Sequence, residues 1–290
     1  MLRTLLFALS WLCAGFSWSG VTVSDDLGVE HHFDKPVGRI ISLAPNITEL
    51  LFLIGAGGQI VGADEYSNYP EAAKRLTRVS NYAAANYELI LSLKPDVVMA
   101  WHSGNGDRII NRSKSLGLPV FVVEPRKMED IPEVIERLGE LTGHGETAAE
   151  KALEFRQRLQ ALRRQFSSHS KVKVFYQIWN EPLITLNGKH LVSDVISLCG
   201  GENIFADALP LVPYVNMEGV IKADPEVIIA SGSSEDSPAW LEMWRNWPEI
   251  TAVKNGQVYF IPPDLLQRHS LRILEGAEQV CRYLANARRK

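Results

Sequence analysis

The chain has 290 residues, a formal net charge of −4 and a sequence pI near 6.0. Hydrophobic residues make up 46% and charged residues 22%, which excludes a disordered chain and a protein with many membrane spans. At roughly 150 residues per domain, the length predicts about two folded units. The slight acidic excess leaves no broad cationic face for nucleic acid, so we expect no nucleic-acid partner.

The start of the chain predicts an export signal. Arg3 precedes an apolar run over 5–16, and small residues follow at Ser17 and Ser19. The apolar run is shorter than the roughly 20 residues that a membrane-spanning helix needs. We therefore expect a signal peptide over 1–19, cleavage near Ser19, a periplasmic location and no membrane insertion of the mature chain.

Two cysteines remain after that segment, Cys199 and Cys281. In an exported chain a pair of cysteines favours a disulfide over two free thiols, although sequence spacing does not test the geometry. The cysteines lack a CxxC motif or a neighbouring His cluster, so we expect no zinc or redox site.

The first half of the chain alternates short β-branched runs with helical patterns. Strands are predicted at 40–43, 60–62, 97–100 and 120–123. This alternation indicates a mostly parallel sheet with helices on both faces. In the first helix, Asn46 is predicted to be the N-cap and Glu49 to complete a capping box; Gly55, Gly57 and Gly58 are predicted to end the helix.

The middle of the chain, after Pro125, has no strand-like run. Five apolar residues at three- and four-residue spacing predict one buried stripe on a long helix: Ala152, Phe155, Leu159, Leu162 and Phe166. Strands resume at 174–178, 227–230 and 258–261. The predicted fold is α/β: two Rossmann-like lobes joined by a long rigid interlobe α-helix, with a ligand cleft between them.

The predicted boundaries are an N-terminal lobe at 20–125, a helical linker at 126–170 and a C-terminal lobe at 171–290. A similarity between two segments of the chain supports two lobes: Pro95 follows Glu88 by seven positions, and Pro225 follows Glu218 by seven positions. In each lobe an Asn two positions before the Glu can cap a short helix that leads into a strand. The alternative is that the two segments are similar by convergence, because Asn caps and helix-ending prolines are common.

Catalytic signatures are missing from the sequence. It contains no Walker A loop, no GxSxG elbow and no HExxH pair. An exported α/β hydrolase would need a nucleophile with a base in reach, and we find no candidate pair. The chain instead places Tyr66, Trp101 and Trp179 after predicted strands, where ligands bind in open α/β sheets. Each ring could alternatively close over the core of its own lobe.

Asp264 and Arg268 follow the last predicted strand at four-residue spacing, which places them on one helical face if the segment is helical. They can pair with each other on the surface or jointly bind amides.

Five segments together resemble a known family: 39–49, 66–70, 93–97, 100–105 and 199–205. They are similar to the periplasmic binding proteins with a helical interlobe link, and among these to the cobalamin-binding branch. The resemblance implies a monomeric, non-enzymatic carrier with no cofactor of its own. Such a carrier captures cobalamin or a related corrinoid and delivers it to an inner-membrane ABC importer, a permease dimer with ATPase subunits.

The resemblance also implies roles for single residues. The ligand contacts that it implies are Tyr66, Tyr82, Trp101, Asp264 and Arg268. It further implies that Glu88 and Glu218 dock onto arginines of the permease dimer, and that Cys199 and Cys281 form a disulfide.

Two positions depart from the pattern of that branch, because Ile178 and Val212 stand where it has aromatic residues. Neighbouring Trp179 is predicted to compensate as a ligand contact, or else Tyr214 does. The alternative function is a haem- or ferric-siderophore-binding protein of the same fold, with Tyr66, His102 or His269 near the iron.

Overall fold

The structure, a computed structural model, describes residues 20–81, 83–166, 170–232 and 239–289. The signal peptide over 1–19 and Tyr82 therefore lie outside the described residues. Within the described ranges, every helix is too short or too polar to cross a membrane.

The N-terminal lobe is a parallel five-stranded sheet preceded by a hairpin. The hairpin pairs β1 (Val21–Ser24) with β2 (Glu30–Phe33). The sheet strands are β3 (Ile40–Ser42), β4 (Ile60–Asp64), β5 (Arg78–Ser80), β6 (Val97–Trp101) and β7 (Val120–Val123). The helices of this lobe are α1 (Pro45–Leu53), α2 (Tyr87–Ser92) and α3 (His102–Ser115), with 3-10 turns at Ala56–Gln59 and Glu71–Arg75. The strand order is β5-β4-β3-β6-β7.

Neighbouring residues of the central strands bury into opposite faces of this sheet. Ile40 and Val97 belong to one apolar cluster, whereas Ile41 and Val98 belong to another. Because side chains alternate along a strand, both faces are covered and the strands are continuous apolar runs. The strands predicted from those runs are confirmed, with ends shifted by one or two residues.

Two helices link the lobes. Helix α4 (Asp130–Thr142) packs on β1 and α1 of the N-terminal lobe, and α5 (Gly145–Phe166) packs along α4 and against helices of the C-terminal lobe. All five residues of the predicted apolar stripe on α5 are buried. At 1.5 Å per residue, its 22 residues span roughly 33 Å. A helix packed along its length in this way is a stiff connection, and the linker boundaries remain a prediction.

The C-terminal lobe has a parallel four-stranded sheet in the order β11-β8-β12-β13 and a small hairpin of β9 and β10. Its strands are β8 (Val172–Gln177), β9 (Trp179–Asn180), β10 (Leu183–Ile184), β11 (Gly201–Asn203), β12 (Val227–Ala230) and β13 (Val258–Phe260). Its helices are α6 (Leu191–Leu198), α7 (Met217–Ala223), α8 (Thr251–Lys254), α9 (Pro263–Leu266) and α10 (Ile273–Ala287), with a 3-10 segment at Ala239–Asn246.

A disulfide joins α6 and α10, two helices of this lobe that pack on each other and on α5. Cys199 lies at the end of α6 and Cys281 within α10, and both are fully buried. The predicted pairing is confirmed.

The two sheets match strand for strand. In the N-terminal sheet Ile40 faces Val97, and in the C-terminal sheet Val174 faces Val227. The order β4-β3-β6-β7 therefore corresponds to β11-β8-β12-β13, and β5 is an extra strand of the N-terminal lobe.

The short helices before β6 and β12 are also built alike. Asn86 Oδ1 accepts from the Leu89 N–H at 3.0 Å, and Asn216 Oδ1 accepts from the Gly219 N–H at 2.8 Å. After each helix, the residue immediately before the proline has a φ of 46°: Lys94 after α2 and Asp224 after α7. The predicted correspondence of the two lobes is confirmed at these caps.

Candidate functional site

A cavity of about 310 Å³ lies between the lobes at the carboxyl ends of the strands. The N-terminal lobe lines it with residues that follow β3, β4 and β6, and the C-terminal lobe with residues that follow β13. The residues that line it include Asn46, Asp64, Tyr66, Trp101, Asp264 and Arg268. Four predicted contact residues, Tyr66, Trp101, Asp264 and Arg268, therefore share one hollow, as open α/β sheets lead one to expect.

Trp101 is held firmly at the end of β6. The backbone N–H of Trp101 donates to Asn105 Oδ1 at 2.8 Å, and Asn105 Nδ2 donates in turn to the Leu43 carbonyl at 2.8 Å. Gly104 lies so close to the indole that a Cβ at this position would overlap the ring. The ring can take this orientation because residue 104 lacks a side chain.

Tyr66 follows β4 in a turn that Asp64 stabilises, since Asp64 Oδ1 accepts from the Tyr66 N–H at 2.8 Å. Half of the Tyr66 residue surface is exposed. Asp64 is buried, and burial raises its pKa from 3.8 to about 6. Sequence reasoning missed Asp64, although its position at the end of a predicted strand beside Tyr66 was a usable signal.

Charged residues from both lobes meet behind the cavity. We call Glu49, Asp264, Arg268 and Arg272 the interlobe ionic cluster. Glu49 Oε1 accepts from Arg268 Nη1 at 2.9 Å and from Arg272 Nη2 at 2.8 Å. Asp264 lies 2.8 Å from Arg268 Nη2 and 3.2 Å from Arg272 Nη2. Asp264 and Arg268 pair as predicted, but the predicted surface position is wrong, because each side chain is only 12% exposed. Arg268 also lies beyond α9, which ends at Leu266, and the pair belongs to a cluster that joins the lobes.

Arg268 is already well engaged in this arrangement. Nη1 also donates to Asn68 Oδ1 at 2.6 Å, and Nη2 to the Tyr66 carbonyl at 3.2 Å. Its side chain is only 12% exposed. Arg268 therefore ties the C-terminal lobe to the N-terminal lobe in addition to lining the cavity.

The predicted capping box at the start of α1 is wrong. The N-cap is Ala44, Pro45 is the first helical residue, and Asn46 therefore lies inside the first turn. Proline is favoured at this first position because its φ is already helical, so the helix begins one residue before the predicted cap. Glu49 is also unavailable to the cap, because both of its oxygens bind the C-terminal lobe.

His269 is enclosed next to the cavity. Its ring packs edge-on against Trp101 at 4.9 Å and against His190 at 5.6 Å, measured between ring centroids. Burial lowers the pKa of both histidines, that of His190 to about 4, so both are neutral near pH 7. His102 lies elsewhere and pairs with Asp107 at 3.1 Å.

Trp179 is not among the residues that line the cavity in the described part of the chain. It lies in β9, is 38% exposed, and its indole N–H donates to the Glu181 carbonyl at 3.1 Å. Tyr214 pairs with the same hairpin and is 74% exposed. The ligand role of Trp179 stays a prediction, as does that of Tyr82.

Among the described residues, no group of three or more His, Cys, Asp or Glu side chains is arranged so that it could hold a metal ion.

Comparison with known proteins agrees with this geometry. The profile of the periplasmic binding protein family matches residues 40–265. A vitamin B12-binding protein of Vibrio cholerae serotype O1 is 41% identical over 256 residues, covering 88% of this chain and 92% of that protein.

Solved structures show the same fold. The periplasmic vitamin B12 binding protein BtuF of Vibrio cholerae matches with a TM-score of 0.82 at 40% identity, covering 88% of this chain and 99% of that one. The periplasmic haem-binding protein RhuT of Roseiflexus sp. RS-1 shares the fold alone, with a TM-score of 0.75 at 21% identity, covering 86% of this chain and 98% of that one. With its two-lobed α/β fold and its match over residues 40–265, this chain belongs to the periplasmic binding protein family.

Proposed function

We propose that this protein is the non-enzymatic substrate-binding component of an ABC importer and that it carries cobalamin or a related corrinoid. The observation that carries the proposal is the shared cavity of Tyr66, Trp101, Asp264 and Arg268, residues that the resemblance had assigned to ligand contact. The 41% identity to a vitamin B12-binding protein supports the choice of ligand.

The ligand would bind to a largely preformed cleft. Helix α5 and the interlobe ionic cluster fix the distance between the lobes at two places. A preformed site reduces the ordering cost of binding. A corrin ring with its side chains is larger than the 310 Å³ cavity, so one edge would enter it while the rest lies along the open cleft.

The exposed Glu88 and Glu218 would dock the loaded protein onto basic residues of the permease dimer. Each lies in the first turn of a helix that occupies the same place in its lobe. One carboxylate on each lobe suits a partner with two-fold symmetry, and exposed charge pairs govern orientation and encounter rate. Each glutamate also favours its own helix N-terminus, which is compatible with docking.

We further propose a periplasmic location after export, in keeping with the family and with the buried disulfide. For the haem alternative, His269 is buried against Trp101 and His102 pairs with Asp107, so Tyr66 is the one of its three named residues that lines the cavity.

Titration of the purified mature protein with cyanocobalamin tests the proposal. We expect saturable heat in calorimetry and quenching of tryptophan fluorescence, because Trp101 lines the cavity. Haemin is titrated in parallel, and a shifted, sharpened Soret band would favour the alternative. Absence of both heat and quenching with cyanocobalamin would overturn the assignment.

A further inference from the structure

An amide without a partner lies in the cavity wall. Asn46 lines the cavity near the start of α1 and is 2% exposed. Neither its Nδ2 nor its Oδ1 has a hydrogen-bond partner among the described residues. A buried unpaired amide lowers the stability of the empty protein, so folding does not explain its presence.

Unpaired groups recur in this wall although its packing is ordered. Trp101 Nε1 is also buried without a partner in the described residues. Asn105, which lines the same cavity, is satisfied at both ends: Oδ1 accepts from the backbone N–H of Trp101, and Nδ2 donates to the Leu43 carbonyl. The side chains that line the cavity thus combine well-formed hydrogen bonds with two unpaired polar groups, on Asn46 and on Trp101.

The charges that line the cavity disfavour an anionic group. Asp64 and Asp264 contribute two carboxylates, and Arg268 contributes one cation. That cation is shared among Glu49, Asp264 and two further oxygen acceptors. Asp64 is largely ionised at neutral pH, since its pKa is about 6. A neutral group is accepted here more readily than a carboxylate.

We propose that Asn46 recognises a primary carboxamide on the edge of the ligand and discriminates against a carboxylate at the same position. An asparagine side chain presents one acceptor and one donor pair, and a ligand amide presents the complementary pair. A carboxylate offers acceptors only and leaves Oδ1 facing a negative charge. The inference rests on the proposed function, because corrinoids carry primary amides around the ring whereas haem carries carboxylates.

The test compares cyanocobalamin with its separated monocarboxylic acid isomers, in each of which one amide is hydrolysed. Calorimetry at pH 7.5 is run on the mature wild type, on Asn46→Leu and on a control, Asn111→Ala, on the exposed face of α3. We expect at least one isomer to bind the wild type about tenfold or more weakly than cyanocobalamin. Asn46→Leu should weaken cyanocobalamin binding by a similar factor and abolish the discrimination, and Asn111→Ala should change neither.

Urea unfolding separates recognition from a structural role. Asn46→Leu removes an unpaired buried group of similar size, so its unfolding midpoint should stay equal or rise while affinity falls. Should that variant fail to fold, Asn46→Asp keeps the shape, and its binding of cyanocobalamin must still be weaker than that of the wild type.

Two results would overturn the inference: wild-type affinity in Asn46→Leu, as expected if the amide binds only a trapped water, or equal binding of all isomers by the wild type. Failure of the wild type to bind cyanocobalamin at all would reject the proposed function, and this inference would fall with it. Normal binding of cyanocobalamin with no effect at residue 46 rejects the inference alone.

Discussion

The two lobes share a framework but differ in how they are closed and in what they bring to the site. Each has the same four-strand parallel order and the same Asn-capped helix with an exposed glutamate. The N-terminal lobe has no cysteine and adds a fifth strand, whereas the C-terminal lobe is cross-linked between α6 and α10. The exposed glutamates of the repeated helices are not among the residues that line the cavity, and the cavity is lined by side chains that differ between the lobes, at the ends of the repeated strands. On the proposed function, the repeated glutamates would contact the permease dimer and the residues that differ between the lobes would contact the ligand.

The largest expected effect comes from charge reversal at the two repeated glutamates, Glu88 and Glu218, and it is measured as cobalamin uptake. We expect Glu88→Arg with Glu218→Arg to lower cobalamin uptake in cells by about 100-fold or more, because two like-charge contacts would replace two attractive ones. Affinity for cyanocobalamin should not change, since both residues are exposed and remote from the cavity lining. Glu150→Arg with Glu202→Arg makes the same charge change at other exposed positions and should leave uptake intact. Normal uptake in the first pair would reject the docking role.

Removal of the cross-link tests the difference in closure. Cys199→Ser with Cys281→Ser opens a loop of 82 residues and should cost about 2–5 kcal/mol of unfolding free energy. Urea titration with two probes, tryptophan fluorescence and circular dichroism, measures it. Reduced wild type is the matched control and should show the same loss. A double variant as stable as the oxidised wild type would show that packing alone closes the C-terminal lobe.

The interlobe ionic cluster joins the two lobes. Glu49 is the member that the N-terminal lobe contributes to it. Glu49→Gln leaves Arg268 and Arg272 without that charge, and we expect a loss of about 2–3 kcal/mol, below the full cost for a completely buried pair because both arginines are partly exposed. Cyanocobalamin affinity should also fall, since Arg268 would lose a partner that orients it.

The control for this variant is Glu154→Gln, which removes the exposed carboxylate that pairs with Lys151. Its effect on the unfolding free energy should be under about 0.5 kcal/mol. Equal effects of the two variants would mean that the cluster does not hold the lobes together.

Sequence reasoning recovered the framework because its signals are local. Runs such as 97–100 are buried on both sheet faces, and the α5 stripe has helical spacing. The missed strands, among them β5, β9 and β11, are only two or three residues long and carry polar residues. Such segments are strands because a neighbouring strand pairs with them, which no local pattern records.

The site was recovered in part for the same reason. Aromatic residues at strand ends are visible in the sequence, and the resemblance located Asp264 and Arg268. The partners of Glu49 lie 219 to 223 residues away along the chain, so no spacing rule could connect them. The sequence predicts Asn46 as the N-cap because asparagine is favoured at that position. The proline before it takes the first helical position instead, so Asn46 lies inside the helix.

Acidification is expected to lower the stability of the folded chain through a buried histidine of the C-terminal lobe, His190. The pKa of His190 in the folded chain is about 4, below its ordinary value of 6.5. The unfolded chain therefore takes up the proton first as the pH falls, and folding stability is lost between about pH 6.5 and pH 4. At about 1.4 kcal/mol per pH unit, His190 alone predicts a loss of about 2 kcal/mol from pH 6.5 to pH 5. The lowered pKa of His269 adds to this loss.

Asp64 in the N-terminal lobe acts in the opposite direction. Its raised folded-state pKa means that the folded chain binds the proton more readily, so acidification below about pH 6 restores stability and offsets part of the loss. His190→Asn isolates the C-terminal contribution, because asparagine can replace the ring as N-cap of α6, where Nδ1 now accepts from the Val192 N–H at 3.1 Å. Urea midpoints from pH 7.5 to pH 5 should fall less steeply in this variant. Identical slopes in variant and wild type would show that the proton uptake of unfolding lies elsewhere.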